Sequence, residues 1–141
     1  MELIEDGRRA IDLTTTPLHL GLGSRARPIE GFAWDPAVLG AYAAAVAADG
    51  SDGRLLVIID EEGRGDHWER HLGDEVVICL EGAITVVVEG SDGMEVEVAL
   101  DPGQGTVNPA GAWHAVDVEG AGRILTITPG AGSEHRSRDR R

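Results

Sequence analysis

Gly65-Asp66-His67-Trp68-Glu69-Arg70-His71-Leu72-Gly73-Asp74-Glu75 places imidazoles and a carboxylate at alternate positions and then turns. Side chains alternate across an extended chain, so His67, Glu69 and His71 share one face. Leu72-Gly73-Asp74 reverses the chain and carries Glu75 onto a neighbouring strand, whose inward face is expected to hold Glu75, Val77 and Cys79. A second stretch, Gly103-Gln104-Gly105-Thr106-Val107-Asn108-Pro109-Ala110-Gly111-Ala112-Trp113-His114, turns tightly at Pro109-Ala110-Gly111 and opens a later strand at His114. Two imidazoles and two carboxylates meeting inside a β-fold do not make an apolar core, because buried charge is costly unless paired or bound to metal. The two readings are a metal site and a hydrogen-bonded polar pocket. A mixed nitrogen and oxygen donor set suits one divalent transition metal, Fe, Mn, Ni, Co or Zn, with geometry deciding among them.

Around these stretches the hydrophobic period is two. Leu55 to Ile59, Glu75 to Leu80 and Ile84 to Glu89 read as strands, and Ser91-Asp92-Gly93 as a hairpin turn. Met94 to Leu100 alternates, with Glu95 and Glu97 on one face and Val96, Val98 and Leu100 on the other. Thr106-Val107, Trp113 to Val118 and Arg123 to Thr128 complete a set of short strands, which indicates a β-sandwich or barrel. Upstream, residues 35–48 read as a helix: Asp35 is a good N-cap, Pro36 fits the first helical position, and Leu39, Tyr42 and Val46 form an apolar stripe. Residues 1–33 read as an irregular arm, extended near Pro17 to Leu22. The expected organisation is an arm and helix over residues 1–53, a barrel over 54–130 and a flexible basic tail over 131–141.

Composition narrows the function. A chain of 141 residues with 42% hydrophobic residues is long enough for one domain with a core. The net charge of −13 argues against nucleic acid, which needs clustered cations. The basic residues are all arginines, and Arg136, Arg138, Arg140 and Arg141 crowd the C-terminus. No apolar run approaches a membrane span, and Met1-Glu2-Leu3-Ile4-Glu5-Asp6 lacks the pattern of a signal peptide, so a cytoplasmic location is expected. A single cysteine, Cys79, excludes an internal disulfide. Gly103-Gln104-Gly105 precedes a strand, not a helix, and is not a phosphate loop.

The two stretches resemble the motifs of the cupin superfamily. His71, three residues, Glu75, six residues and Gly82 match the second half of the first motif; Gly103, Pro109, Gly111 and His114 match the second motif with its gaps. Twenty residues separate Gly82 from Gly103, which suits a short hairpin between the motifs. Two positions depart from the pattern: Glu69 stands where the first histidine is usual, and Val118 where an asparagine is usual. The resemblance implies an all-β fold, the double-stranded β-helix or jelly-roll barrel, often dimeric, with a metal in the barrel mouth. It implies Glu69, His71, Glu75 and His114 as metal ligands. His67, Val77, Cys79 and Asn108 are expected as second-layer or pocket residues, with His67 in place of Glu69 as the alternative ligand. Trp68 and Trp113 are expected on the outer layer beneath the arm or a partner, and Trp34 in a core or interface.

Three functions are compatible with this. The first is a metal-dependent enzyme acting on a small molecule as a dioxygenase, isomerase or lyase, with Glu69 as general base if it is not a ligand. The second is a non-catalytic module that binds a small ligand. The third is a structural role through dimerisation. Expected partners are a small-molecule substrate or ligand and a second copy of the chain, with neither nucleic acid nor membrane.

Overall fold

The computed structural model describes residues 9–139, so the first eight residues of the expected arm and the last two arginines lie outside it. Among the described residues, ten strands and one α-helix run in the order β1 (Leu18–Gly21), β2 (Arg25–Pro28), α1 (Pro36–Ala45), β3 (Arg54–Arg64), β4 (His67–Arg70), β5 (Glu75–Glu81), β6 (Ile84–Glu89), β7 (Glu95–Leu100), β8 (Gly105–Asn108), β9 (His114–Pro129) and β10 (Glu134–Ser137). All ladders are antiparallel. The expected double-sheet jelly roll is the fold.

The organising element is β9. Its first half pairs with β6 and, at His114, with β4; its second half lies between β3 and β5. One half-barrel therefore reads β10-β4-β9-β6-β7 and the other β2-β1-β3-β9-β5-β8. Two separate strands, Trp113 to Val118 and Arg123 to Thr128, are expected from the sequence; they are one strand that bends at Glu119-Gly120-Ala121-Gly122. Gly120 has φ 77°, a conformation glycine reaches without strain, so the chain turns the barrel corner without leaving the ladder.

Alternation along the strands builds the core. Val77, Cys79, Ile84, Val86, Leu100, Val118 and Ile124 pack together. Each fully buried Val or Ile contributes about 1.5–3 kcal/mol by leaving water. Val96, on the same face as Val98 and Leu100, is 57% exposed, because it lies at the hairpin end of the edge strand β7, whereas Leu100 at the other end is 4% exposed.

The helix forms where expected, with Asp35 accepting from Val38 N at 3.0 Å and Pro36 opening it, and gives way to a 3-10 turn over Ala47–Asp52. None of its residues is buried. It is held through a buried histidine instead. His19 joins Tyr42 on the helix to Asp49 after it: its Nδ1 lies 2.6 Å from the Tyr42 hydroxyl and its Nε2 2.6 Å from Asp49, and burial pushes the Tyr42 phenol up to about 12.

Within the segment expected as a tail, a further strand forms. Residues 134–137 form β10 and pair with β4, His135 opposite Glu69. Arg138 is buried and grips both carboxylate oxygens of Asp117 at 2.5 and 3.0 Å. Arg136 stacks over Trp113 and Trp68, Arg138 over Trp68 and Arg70 over Trp113. Cation–π attraction and charge pairing, not an apolar face, hold this strand. The two tryptophans are thus covered by the chain's own C-terminal arginines. Gly65 seats the end of the strap: its N–H donates to Val116 O and Asp117 Oδ1, and its carbonyl accepts from Arg138.

Candidate metal centre

Four side chains converge on one side of the barrel: Glu69 from β4, His71 just after it, Glu75 opening β5 and His114 opening β9. One donor atom from each lies within 4.8 Å of all the others. The loops that carry them are tied together. Gly111 N donates to the carbonyl of His71 at 2.8 Å, and Ala110 N donates to Asp74 at 2.8 Å. The Pro109-Ala110-Gly111 turn therefore holds His114 against the loop that carries His71 and Glu75.

Each imidazole is oriented from behind. Nδ1 of His71 lies 2.7 Å from Ser133 Oγ, which in turn donates to backbone carbonyls of Pro129 and Gly130. Nδ1 of His114 faces Ala112 O at 3.3 Å. Both Nε2 atoms then point inward, buried, and neither has a hydrogen-bond partner among the described residues. Carboxylates are nonetheless close: His71 Nε2 is 3.2 Å from Glu75 and 3.5 Å from Glu69, and His114 Nε2 is 3.0 Å from Glu75. Close approach without hydrogen-bond alignment is what ligands around a common centre show. Neighbouring donors on a metal with bonds of about 2.1 Å stand about 3 Å apart. Glu75 is itself fixed by Asn108 Nδ2 at 3.1 Å and Thr128 Oγ1 at 2.8 Å. These residues fit a divalent metal, and their outer partners supply the orientation such sites need.

Electrostatics agree. Burial opposes a charge on Glu75, but His114 and His71 overcome it and hold the carboxyl far below its usual range. Burial likewise opposes a proton on His71, but Glu69 and Glu75 outweigh it and push the imidazole up to about 9. Glu69 is lowered despite burial, by His71 and His67. Without a cation the site thus holds a proton on His71 to offset the buried Glu75 and the partly buried Glu69 carboxylates.

The four residues face a cavity of about 510 Å³. Leu55, Val57, Ile59 and Ile124 line its barrel side, and Trp34, Leu39 and Tyr42 lie along the helix side. Trp34, expected in a core or interface, is 60% exposed at this rim. His67 lines the cavity, as expected for a wall residue, with Nε2 2.9 Å from Glu69. Asn108 buttresses Glu75 from outside the cavity. Val77 and Cys79 share the inward face of Glu75 but sit deeper, wholly buried in the apolar core and not on the cavity wall. Burial and nearby Asp101 raise the Cys79 thiol, which suits an inert core residue. Ser133, Thr128 and His135 also belong to the site, although sequence reasoning passes over them; only the alternation of Ser133 and His135 hints at a shared face.

A family model for the cupin domain matches residues 55–128, more than half of the chain. The protein belongs to the cupin family. No curated protein matches it. Among similar solved structures, hydroxypropylphosphonic acid epoxidase from S. wedmorenis is 17% identical over 53% of this chain and 42% of that one, with TM-score 0.48. A cupin-2 domain containing protein from Shewanella frigidimarina NCIMB 400 is 24% identical over 54% and 70%, with TM-score 0.47. Hydroquinone 1,2-dioxygenase from Sphingomonas sp. TTNP3, with 4-hydroxybenzoate bound, is 17% identical over 53% and 58%, with TM-score 0.46. The match spans less than half the length of the epoxidase. Among the described residues no helix is long and apolar enough to cross a membrane.

Proposed function

We propose that this protein is a metal-dependent enzyme acting on a small, largely apolar molecule that carries an oxygen donor, in a reaction of the dioxygenase, isomerase or lyase type. One observation carries the reading: the orphaned Nε2 atoms of His71 and His114 converge with Glu69 and Glu75 at the wall of a cavity large enough for a substrate. His71, Glu75 and His114, buried and braced, hold the ion, with Glu69 as the more exposed fourth ligand. The bound ion supplies Lewis acidity or redox chemistry at the substrate's oxygen.

The remaining work falls to this chain's own residues. Two carboxylates neutralise a divalent charge, so the site favours a neutral or singly charged donor over a polyanion. Among the described residues, the cavity lining contains no arginine to bind a phosphate or carboxylate. Leu55, Val57, Ile59 and Ile124 take up the apolar body of the substrate and exclude water. Ser133 and Asn108 keep His71 and Glu75 in place as charge shifts during turnover.

The test is reconstitution with Fe2+, Mn2+ or Zn2+ and a screen of small hydroxylated and carbonyl compounds. Metal-dependent turnover that disappears in His71→Ala supports the reading. Saturable binding without turnover under aerobic and anaerobic conditions overturns it in favour of a ligand-binding module.

A further inference from the structure

A second group of donors stands on the solvent side of Glu69. His67 Nε2 lies 2.9 Å from Glu69 Oε1, and His135 Nε2 lies 3.7 Å from the same oxygen. The other carboxylate oxygen, Oε2, faces His71. The strand register explains the arrangement. Across β10, β4 and β9, His135, Glu69 and His114 form one row. Along the chain, His67 and His71 flank Glu69 at alternate positions on its face. Glu69 therefore has an imidazole on each of four sides, two toward the deep centre and two toward the cavity mouth.

We propose that His67, Glu69 and His135 form a second divalent-cation site, bridged to the deep centre by the Glu69 carboxylate. Donor atoms of these three residues lie within 4.8 Å of one another. The two rings are 5.5 Å apart and tilted by 43°, so they do not stack against each other. His67 is oriented as metal-bound histidines are: its Nδ1 lies 2.7 Å from Asp66, which leaves Nε2 for the site. Local charge favours a cation, since Glu61 lines the same cavity and Asp66 stands beside it. Three protein donors leave the remaining positions to water or substrate, so this outer ion is the weaker and more exchangeable of the two. With both ions bound, Glu69 would serve each through one of its carboxylate oxygens, and the pair would suit a small substrate that chelates through two donors. This inference shares Glu69 with the deep centre and rests to that extent on the reading above.

The experiment is a Mn2+ titration of the chelator-stripped full chain, with bound metal counted after equilibrium dialysis and electron paramagnetic resonance recorded at saturation. Two equivalents are expected, the second at least tenfold weaker, with spin coupling that broadens the spectrum of the isolated ion. His67→Ala/His135→Ala is expected to stop at one uncoupled equivalent. His67→Gln/His135→Gln repeats the test with side chains of similar size. His71→Ala/His114→Ala is expected to lose the tighter equivalent and the coupling. Wild-type saturation at one equivalent up to millimolar free Mn2+ overturns the outer site and leaves the deep centre standing. A second equivalent that persists in both outer variants also overturns it. Failure to bind any Mn2+ overturns both sites.

Discussion

Raising the pH will weaken the metal-free protein and strengthen its hold on metal. Without an ion, His71 takes a proton from water, and the nearby Glu69 and Glu75 carboxylates outweigh burial and move its pKa from 6.5 to about 9 in the folded state. At 1.36 kcal/mol per pH unit, that shift stabilises the fold by about 3 kcal/mol. The His71 side chain is only 4% exposed, so solvent screening removes little of this. A raised folded-state pKa stabilises fully below the unfolded value and is lost as pH climbs, so the loss falls between about pH 6.5 and 9. For a chain of this size it amounts to roughly 10 °C in melting temperature. Glu69 and Glu75 act in the opposite direction: their lowered pKa values stabilise above about pH 4.5, and that contribution disappears in acid. Metal binding must displace the His71 proton, so apparent affinity will rise about tenfold per pH unit between pH 7 and 9. Thermal melts of chelator-treated protein, paired with competition titrations against a metal-buffering chelator, measure both slopes. A metal-free melting temperature that is flat from pH 6.5 to 9, together with an affinity independent of pH, would refute the claim that a proton and the metal compete for one buried imidazole.

Ser133→Ala removes the hydroxyl that orients His71 and is expected to cost about 1 kcal/mol of stability and 10–100-fold in metal affinity, read by calorimetry and chelator competition. Gly65→Ala places a Cβ 2.5 Å from the Val116 carbonyl oxygen, a backbone clash expected to cost about 1–3 kcal/mol in urea unfolding and to loosen the β10 strap. Glu69→Gln distinguishes ligand from base: as a ligand its loss lowers metal content, whereas as a base it leaves metal in place and abolishes turnover, and the geometry here predicts lower metal content.

How much of this was legible in the sequence differs by residue. The convergence of His71, Glu75 and His114 could be read because strand alternation and motif spacing are local properties. Glu69 could be read because it sits two residues from His71 on the same face. β10 could not, since all four of its residues are exposed and polar and show no apolar period. It is a strand because Arg136 and Arg138 find Trp68, Trp113, Glu89 and Asp117, which are distant in sequence. Ser133 and His135 are hidden for the same reason, since their place at the site depends on β10. Gly120 and Gly122 read as a break between strands, whereas the ladder on both sides of the corner carries β9 through them. Alternation put Cys79 inward correctly, but not how deep the cavity reaches, which depends on packing across the barrel.

The most direct measurement is metal content by mass spectrometry on untagged protein beside the His71→Ala/His114→Ala variant. At least one equivalent of a transition metal, lost in the variant, is the predicted result. No metal in either protein, and none taken up on reconstitution, would contradict the account at its centre.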